Sequence, residues 1–178
     1  MPSRYLIRAA TAADLPALGT IESRASELFH GLVPEEIPLD NVPPQTLSDA
    51  CQNGRLFVAE ALEGDVVGFA LLLLLDDGSA HLEELDVLPE HGRRGVGRAL
   101  IEACARTVRK HGHTTLTLST YRDVPFNAPY YLRLGFRTLE PHEVTPALAR
   151  VIEIERKKGL DRTPRVLMRL ELAPGRAQ

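Results

Sequence analysis

The stretch Leu82 to Leu100, LEELDVLPEHGRRGVGRAL, constrains this chain more than any other. A strand-like run ends at Val87, a short connector follows through Arg94, and Gly95-Val96-Gly97 opens a segment with helical periodicity. A glycine pair at a strand-to-helix junction lets backbone N–H groups approach an anion without interference from a Cβ. The unpaired N–H groups and the dipole at a helix start favour a phosphate there. Arg93, Arg94 and Arg98 add positive charge at the same end. Two nucleotide motifs are excluded by the residues themselves. Gly97 is followed by Arg98-Ala99 and not by the Lys-Ser/Thr of a Walker A loop. Leu100 stands where a dinucleotide fingerprint needs a further glycine. The stretch predicts a pyrophosphate-bearing cofactor held at Gly95, with chemistry beside it.

The remaining elements follow from periodicity and punctuation. Tyr5–Ala9 reads as a short strand. Thr11 reads as the N-cap of a helix that runs through Leu15, Leu18, Ile21 and Ala25 toward Phe29, with Asp14 as the acid three residues on. Residues 31–44 are rich in proline and form a loop; Gln45–Gln52 is a short helix stopped by Asn53-Gly54. Three strands follow, Arg55–Leu62, Val66–Leu75 and His81–Val87, joined by the turns Glu63-Gly64-Asp65 and Asp76-Asp77-Gly78-Ser79. The middle strand is apolar on both faces, as in a central strand covered on both sides. Gly95–His111 is a helix, with Glu102 and Arg106 expected to pair on its wet face. Thr115–Thr120 is a strand, Asn127–Leu134 a short helix, Phe136–Leu139 a strand, Val144–Lys158 a helix, and Arg165–Leu172 the last strand. This is a mixed α/β (α+β) order within a single domain spanning 1–178, its core about residues 4–172.

Composition narrows the function classes. A net charge of −3 gives no electrostatic case for nucleic acid or an anionic membrane as the main partner. The longest apolar run, Val66–Leu75, is too short for a bilayer span of about 20 residues. No signal-peptide pattern opens the chain, so a cytoplasmic protein is the expectation. Two cysteines, Cys51 and Cys104, are too few for a disulfide framework or a cysteine-rich metal site, and no metal is expected.

Here a resemblance enters. LDVLPEHGRRGVGRALI resembles the acyl-CoA-binding motif of the GNAT superfamily of N-acetyltransferases, usually Gln/Arg-x-x-Gly-x-Gly/Ala after a strand carrying Val-x-Pro. NAPYYLRLGF, Asn127 to Phe136, resembles that family's next motif, in which a Tyr lies four residues before Gly-Phe. The order of elements matches from Tyr5 to Leu172. One position departs: Gly92 stands where the family carries Gln or Arg, and the basic residues fall at Arg93 and Arg94.

The resemblance implies a twisted, mostly antiparallel sheet of six to seven strands flanked by helices, its fourth and fifth strands parallel and splayed. It implies acetyl-CoA as cosubstrate. Leu85, Asp86 and Val87 would offer backbone groups to the pantetheine arm as an added strand does. Arg93, Arg94, Gly95, Val96, Gly97 and Arg98 would hold the diphosphate. Asn127 would cap its helix or touch pantetheine, and Tyr131 would lie near the cofactor sulfur.

Acetyl transfer to an amine needs a base, a stabilised thioester oxygen and a proton donor for the leaving thiolate. Period-2 alternation puts His81 and Glu83 on one face of the fourth strand and Glu84 and Asp86 on the other. Glu83 is the first candidate for the base and His81 the next; Glu84 stays open, because a bulge would change the facing. Tyr131 is the candidate acid. The acceptor is a small-molecule or protein amine, with Glu27, Glu35, Glu36 and Asp40 as acids that would attract it. Alternatives are an acyl-CoA sensor without turnover and a domain that binds no cofactor. A homodimer through the last strand stays open.

Overall fold

The computed structural model describes residues 4–37 and 41–172. Its seven strands run in the order β1-β2-β3-β4-β5-β7-β6. The sheet is mostly antiparallel, with β4 and β5 parallel, and helices flank it, as the mixed α/β reading expected. No described helix is long and apolar enough to cross a membrane.

Contacts divide the chain into two compact units. The first comprises residues 4–28, 41–73 and 82–107. It carries β1 (Tyr5–Ala9), α1 (Leu15–Ser26), α2 (Pro44–Gln52), β2 (Leu56–Ala61), most of β3 (Val66–Leu74) and β4 (Ala80–Val87), and most of α3 (Val96–Lys110). β1 pairs antiparallel with β2, Tyr5 opposite Ala61, and β2 pairs antiparallel with β3, Leu56 opposite Leu71. Leu18 and Ile21 of α1, Leu47 of α2, and Leu56, Val58 and Phe69 of the strands form its core. All six are nearly inaccessible, as the apolar stripe of α1 and the double-faced apolar run of β3 require.

The start of α1 departs from the expected capping box. The helix begins at Leu15, with Asp14 at the N-cap position. The Asp14 carboxylate accepts from Thr11 N–H at 2.7 Å, the half of the capping box in which the acid reaches back, but the Thr11 hydroxyl donates to that carboxylate at 2.9 Å where the box would have it accept from the Asp14 N–H. The reason is a partner from outside the segment: Arg8 Nη1 and Nη2 donate to the same carboxylate at 2.7 and 2.8 Å. Arg8 also donates to Glu60 across the β1–β2 pair.

In β3, Gly68 permits a close approach. A Cβ there would lie 2.7 Å from Asp86 O and 3.3 Å from Val87 Cα, both backbone atoms of β4. Leu88 N–H donates to Val67 O at 2.9 Å just beyond.

The second unit comprises residues 29–37, 74–81 and 108–172. β5 (Thr115–Tyr121) pairs antiparallel with β7 (Arg165–Glu171), Leu118 opposite Met168, and the two-residue β6 (Arg137–Thr138) pairs with β7 from its other side. α4 (Ala128–Arg133) and α5 (Pro146–Lys157) complete it. Thr145 caps α5 by accepting from Leu148 N–H. Arg165 is held by Glu155, at 2.8 Å, and its guanidinium lies 4.6 Å from the Tyr121 ring centroid.

Candidate functional site

In the first unit, β4 leads into the loop that opens α3. Burial along β4 falls from Ala80-His81-Leu82, all buried, to an exposed Glu83 and a half-buried Glu84 to Val87. A single turn of 3-10 helix, Pro89–His91, follows. It is tied to α1 by the two-pronged pair of Arg24 with Glu90, at 2.8 and 3.1 Å, and Tyr5 hydroxyl meets His91 Nδ1 at 3.1 Å.

The loop then takes two left-handed steps. Arg93 adopts φ 58°, a conformation uncommon for any residue but glycine, and Gly95 adopts φ 84°. Arg93, Arg94 and Gly95 are exposed. A Cβ at Gly95 would meet nothing within 4 Å, so the space over the start of α3 is open. The first N–H groups of a helix have no partner within it. Together these features put exposed arginines and an open approach at the N-terminus of α3, the kind of helix start that suits an anion. Arg98 pairs with Glu102 at 2.9 Å, so the expected pairing of Glu102 with Arg106 gives way to one a turn earlier.

The first unit also gathers three carboxylates. Glu22 of α1 and Glu84 and Asp86 of β4 each place an oxygen within 4.8 Å of the others. Glu22 is 7% exposed and accepts from Val42 N–H through both oxygens, at 2.8 and 3.1 Å. Burial raises its pKa above the ordinary value, the Val42 bond opposing. Asp86 is raised well above the carboxylate range by burial first, then by the charges of Glu84 and Glu22. Its Oδ2 is buried without a hydrogen-bond partner among the described residues. Between α1, α2 and the segment before α2 lies an open cavity of about 600 Å³ whose wall includes Leu15, Gly19 and Val42 but none of the three carboxylates.

From sequence, Glu84 is an open alternative for the base and Asp86 a backbone contact, while Glu22 is not among the candidates. A signal was present: Glu22 stands four residues after Leu18 and three before Ala25, inside the buried stripe of α1. The acids named instead are placed otherwise. Glu27, Glu35 and Glu36 are exposed, and Asp40 lies outside the described residues.

In the second unit, His81 is 1% exposed, and its Nδ1 lies 2.9 Å from Thr117 Oγ1, which in turn donates to Ala80 O at 3.1 Å. Burial, with Arg165 adding to it, lowers the His81 pKa to about 4. The imidazole is therefore neutral near pH 7. His81 and Glu83, expected to share one face, differ sharply in burial.

Tyr131 sits on α4, 8% exposed, with its ring edge-on to Phe136 at 5.5 Å. The spacing to Gly135-Phe136 has a local cause. Phe136 N–H donates back to Tyr131 O, and that reversal takes Gly135 through φ 94°. Asn127 stands at the N-cap of α4, but its side chain makes no cap bond. Its backbone oxygen accepts from Tyr130 and Tyr131 instead, and its Oδ1 is buried without a partner among the described residues.

A family model, the acetyltransferase (GNAT) family, matches residues 25–136. The chain belongs to the GNAT acetyltransferase family. The match covers the whole loop from β4 into α3 and ends at Phe136, the last residue of the second motif. Over 116 residues the chain is 31% identical to streptothricin acetyltransferase of Streptomyces lavendulae, covering 58% of this chain and 60% of that protein. The chain thus spans less than two thirds of this curated relative. The PaiA N-acetyltransferase of Thermoplasma acidophilum, solved with coenzyme A, has the same fold, with TM-score 0.69 and 16% identity over 94% of this chain and 98% of that one. N-acetylglutamate synthase of Neisseria gonorrhoeae, solved with coenzyme A and N-acetylglutamate, gives TM-score 0.69 and 18% identity, covering 95% of this chain and 35% of that one. At these identities the two structures speak for the fold alone.

Proposed function

We propose that this GNAT chain transfers an acetyl group from acetyl-CoA to a primary amine by direct attack in a ternary complex. The observation that carries the reading is the loop from Gly92 to Gly97. Left-handed turns at Arg93 and Gly95 leave open space over the start of α3, inside the segment matched by the family model.

The cosubstrate fits the residues present. Backbone amides of Gly95 to Arg98, with Arg93 and Arg94, would hold the diphosphate. The edge of β4 at Leu85, Asp86 and Val87 would pair with the pantetheine amides. The Oδ1 of Asn127, without a partner among the described residues, would accept from an N–H of that arm. The thioester supplies the acyl group.

An alkylamine with a pKa near 10 must lose a proton before it attacks. Glu83 is the proposed base: it is exposed on β4, where a proton passes readily to water. His81 is the weaker candidate, because a buried imidazole with a pKa of about 4 holds a proton poorly near pH 7. The Tyr131 hydroxyl is the proposed donor to the leaving thiolate.

The test is a pair of measurements on the wild-type chain. Acetyl-CoA should raise the melting temperature, since a ligand at 100 times its Kd adds about 2.7 kcal/mol. Amines should then release CoA. No thermal shift with saturating acetyl-CoA would end the reading. A shift without release by any amine would favour an acyl-CoA sensor.

A further inference from the structure

The segment between β4 and α3 carries a strained residue at its centre. Arg93 adopts φ 58°, where a Cβ crowds the backbone. Such a conformation persists where the surroundings fix it more than once. The core fixes the two ends of the segment: Leu88 N–H donates to Val67 O at 2.9 Å, and Val96 is 2% exposed. Residues 93–95 are exposed, so the path they take is set by the turn Pro89–His91 before them.

Two side chains from distant elements of the same unit grip that turn. Arg24, in the last turn of α1, donates from Nη1 and Nη2 to the two oxygens of Glu90, at 2.8 and 3.1 Å. Tyr5 of β1 places its hydroxyl 3.1 Å from His91 Nδ1, and the two rings meet edge-on at 5.8 Å. A forked pair fixes orientation as well as distance. Arg24 and Glu90 are 45% and 46% exposed, and a pair so open to water adds little to the stability of a fold. What it does is hold the turn.

We propose that Arg24 and Tyr5 are positioning residues for the cosubstrate. They hold Glu90 and His91 so that residues 93–97 keep the path that receives the diphosphate. This rests on the acetyl-CoA reading and deepens it. A site loses affinity in proportion to the time its competent shape is not populated. Releasing either grip lets Arg93 relax out of its left-handed conformation. Acetyl-CoA must then restore that conformation, which weakens binding. The role differs from that of bare charge: Arg24 is positive and Glu90 negative, so their fields act on an anion in opposite senses.

The experiment titrates acetyl-CoA by calorimetry into the full chain and its Arg24→Gln, Glu90→Gln, double and Tyr5→Phe variants at one ionic strength. Arg24→Gln and Glu90→Gln should each weaken binding by about two- to fivefold, the range of an exposed ion pair. The double variant should bind no more weakly than the weaker single one, because one interaction is lost in all three. Tighter binding by Glu90→Gln would reveal a field effect and overturn the role of Arg24. Tyr5→Phe changes no charge and keeps the ring, and should weaken binding by about twofold or more, the loss of one hydrogen bond. Wild-type affinity in Tyr5→Phe would overturn the role of Tyr5, and wild-type affinity in the two charge variants would overturn that of Arg24. So would a fall of more than about 4 °C in the melting temperature of the unliganded Arg24→Gln chain, which would make the pair a support of the fold. Wild type separates the two readings. If it binds acetyl-CoA and every variant binds equally well, this proposal fails alone. If wild type does not bind acetyl-CoA, the transferase reading fails and takes this proposal with it.

Discussion

Gly68→Ala probes the contact between β3 and the proposed cosubstrate edge of β4. The added Cβ would lie 2.7 Å from Asp86 O, 3.2 Å from Val87 Cγ2 and 3.3 Å from Val87 Cα. A carbon–oxygen contact settles near 3.3–3.6 Å, so the strands must part by roughly 0.6–0.9 Å. Two of the three atoms are backbone and have no rotamer to escape into. Overpacking of this kind costs about 1–3 kcal/mol. Replacing a strand glycine returns about 0.5–1 kcal/mol through the unfolded chain. The net loss is about 0–2.5 kcal/mol, and its midpoint of about 1 kcal/mol corresponds to about 2–4 °C in melting temperature for a chain of this length. The same displacement moves Asp86 and Val87, so the thermal shift from acetyl-CoA should shrink as well. Differential scanning fluorimetry with and without acetyl-CoA reads both effects. A Gly68→Ala variant with wild-type melting temperature and wild-type acetyl-CoA shift would refute the reasoning.

Gly95→Ala makes the contrasting case: its Cβ meets nothing, so the cost is the left-handed φ alone, about 1–2 kcal/mol. Its larger effect should be on acetyl-CoA binding, read by calorimetry, because the methyl enters the space proposed for the diphosphate. His81 should make the fold acid-sensitive. Its folded pKa of about 4 lies below the unfolded value near 6.5, so its contribution is complete above pH 6.5 and about 3 kcal/mol is lost as pH falls toward 4. Denaturant unfolding of wild type and His81→Asn across that range should converge at the acid end; the difference also removes the opposite-signed contributions of Glu22 and Asp86. Asp14, held well below the carboxylate range by Arg8, contributes fully above about pH 4 and loses that contribution progressively at lower pH, so Asp14→Asn should cost about 1.5–3 kcal/mol at pH 7 and less at pH 2, by the same measurement. Tyr131→Phe should lower kcat for CoA release with little change in acetyl-CoA affinity; full kcat would remove it from the acid role.

Much of the fold was legible because its signals are local. Helical and strand periodicities, the stops at Gly112 and Gly159, and the turns at Gly64 and Gly78 each depend on a few neighbouring residues. Four glycines at these stops and turns take positive φ. The junction at Gly95 was legible for the same reason: a glycine's conformational freedom is a property of the residue. The carboxylate cluster was not. Alternation along β4 said that Glu84 and Asp86 share a face, and the α1 stripe enclosed Glu22, but neither pattern says that these faces meet.

The sequence by itself determined the order of elements, the glycine-opened helix and the family. It did so because backbone preference and short-range spacing are written in consecutive residues. Tertiary structure alone decided which ionisable groups were removed from water. Packing turned Asp14 toward Arg8, buried His81 against Thr117, and gathered the carboxylates of Glu22, Glu84 and Asp86 within 4.8 Å of one another. A charge's solvation depends on everything around it, and most of what surrounds these groups comes from distant parts of the chain.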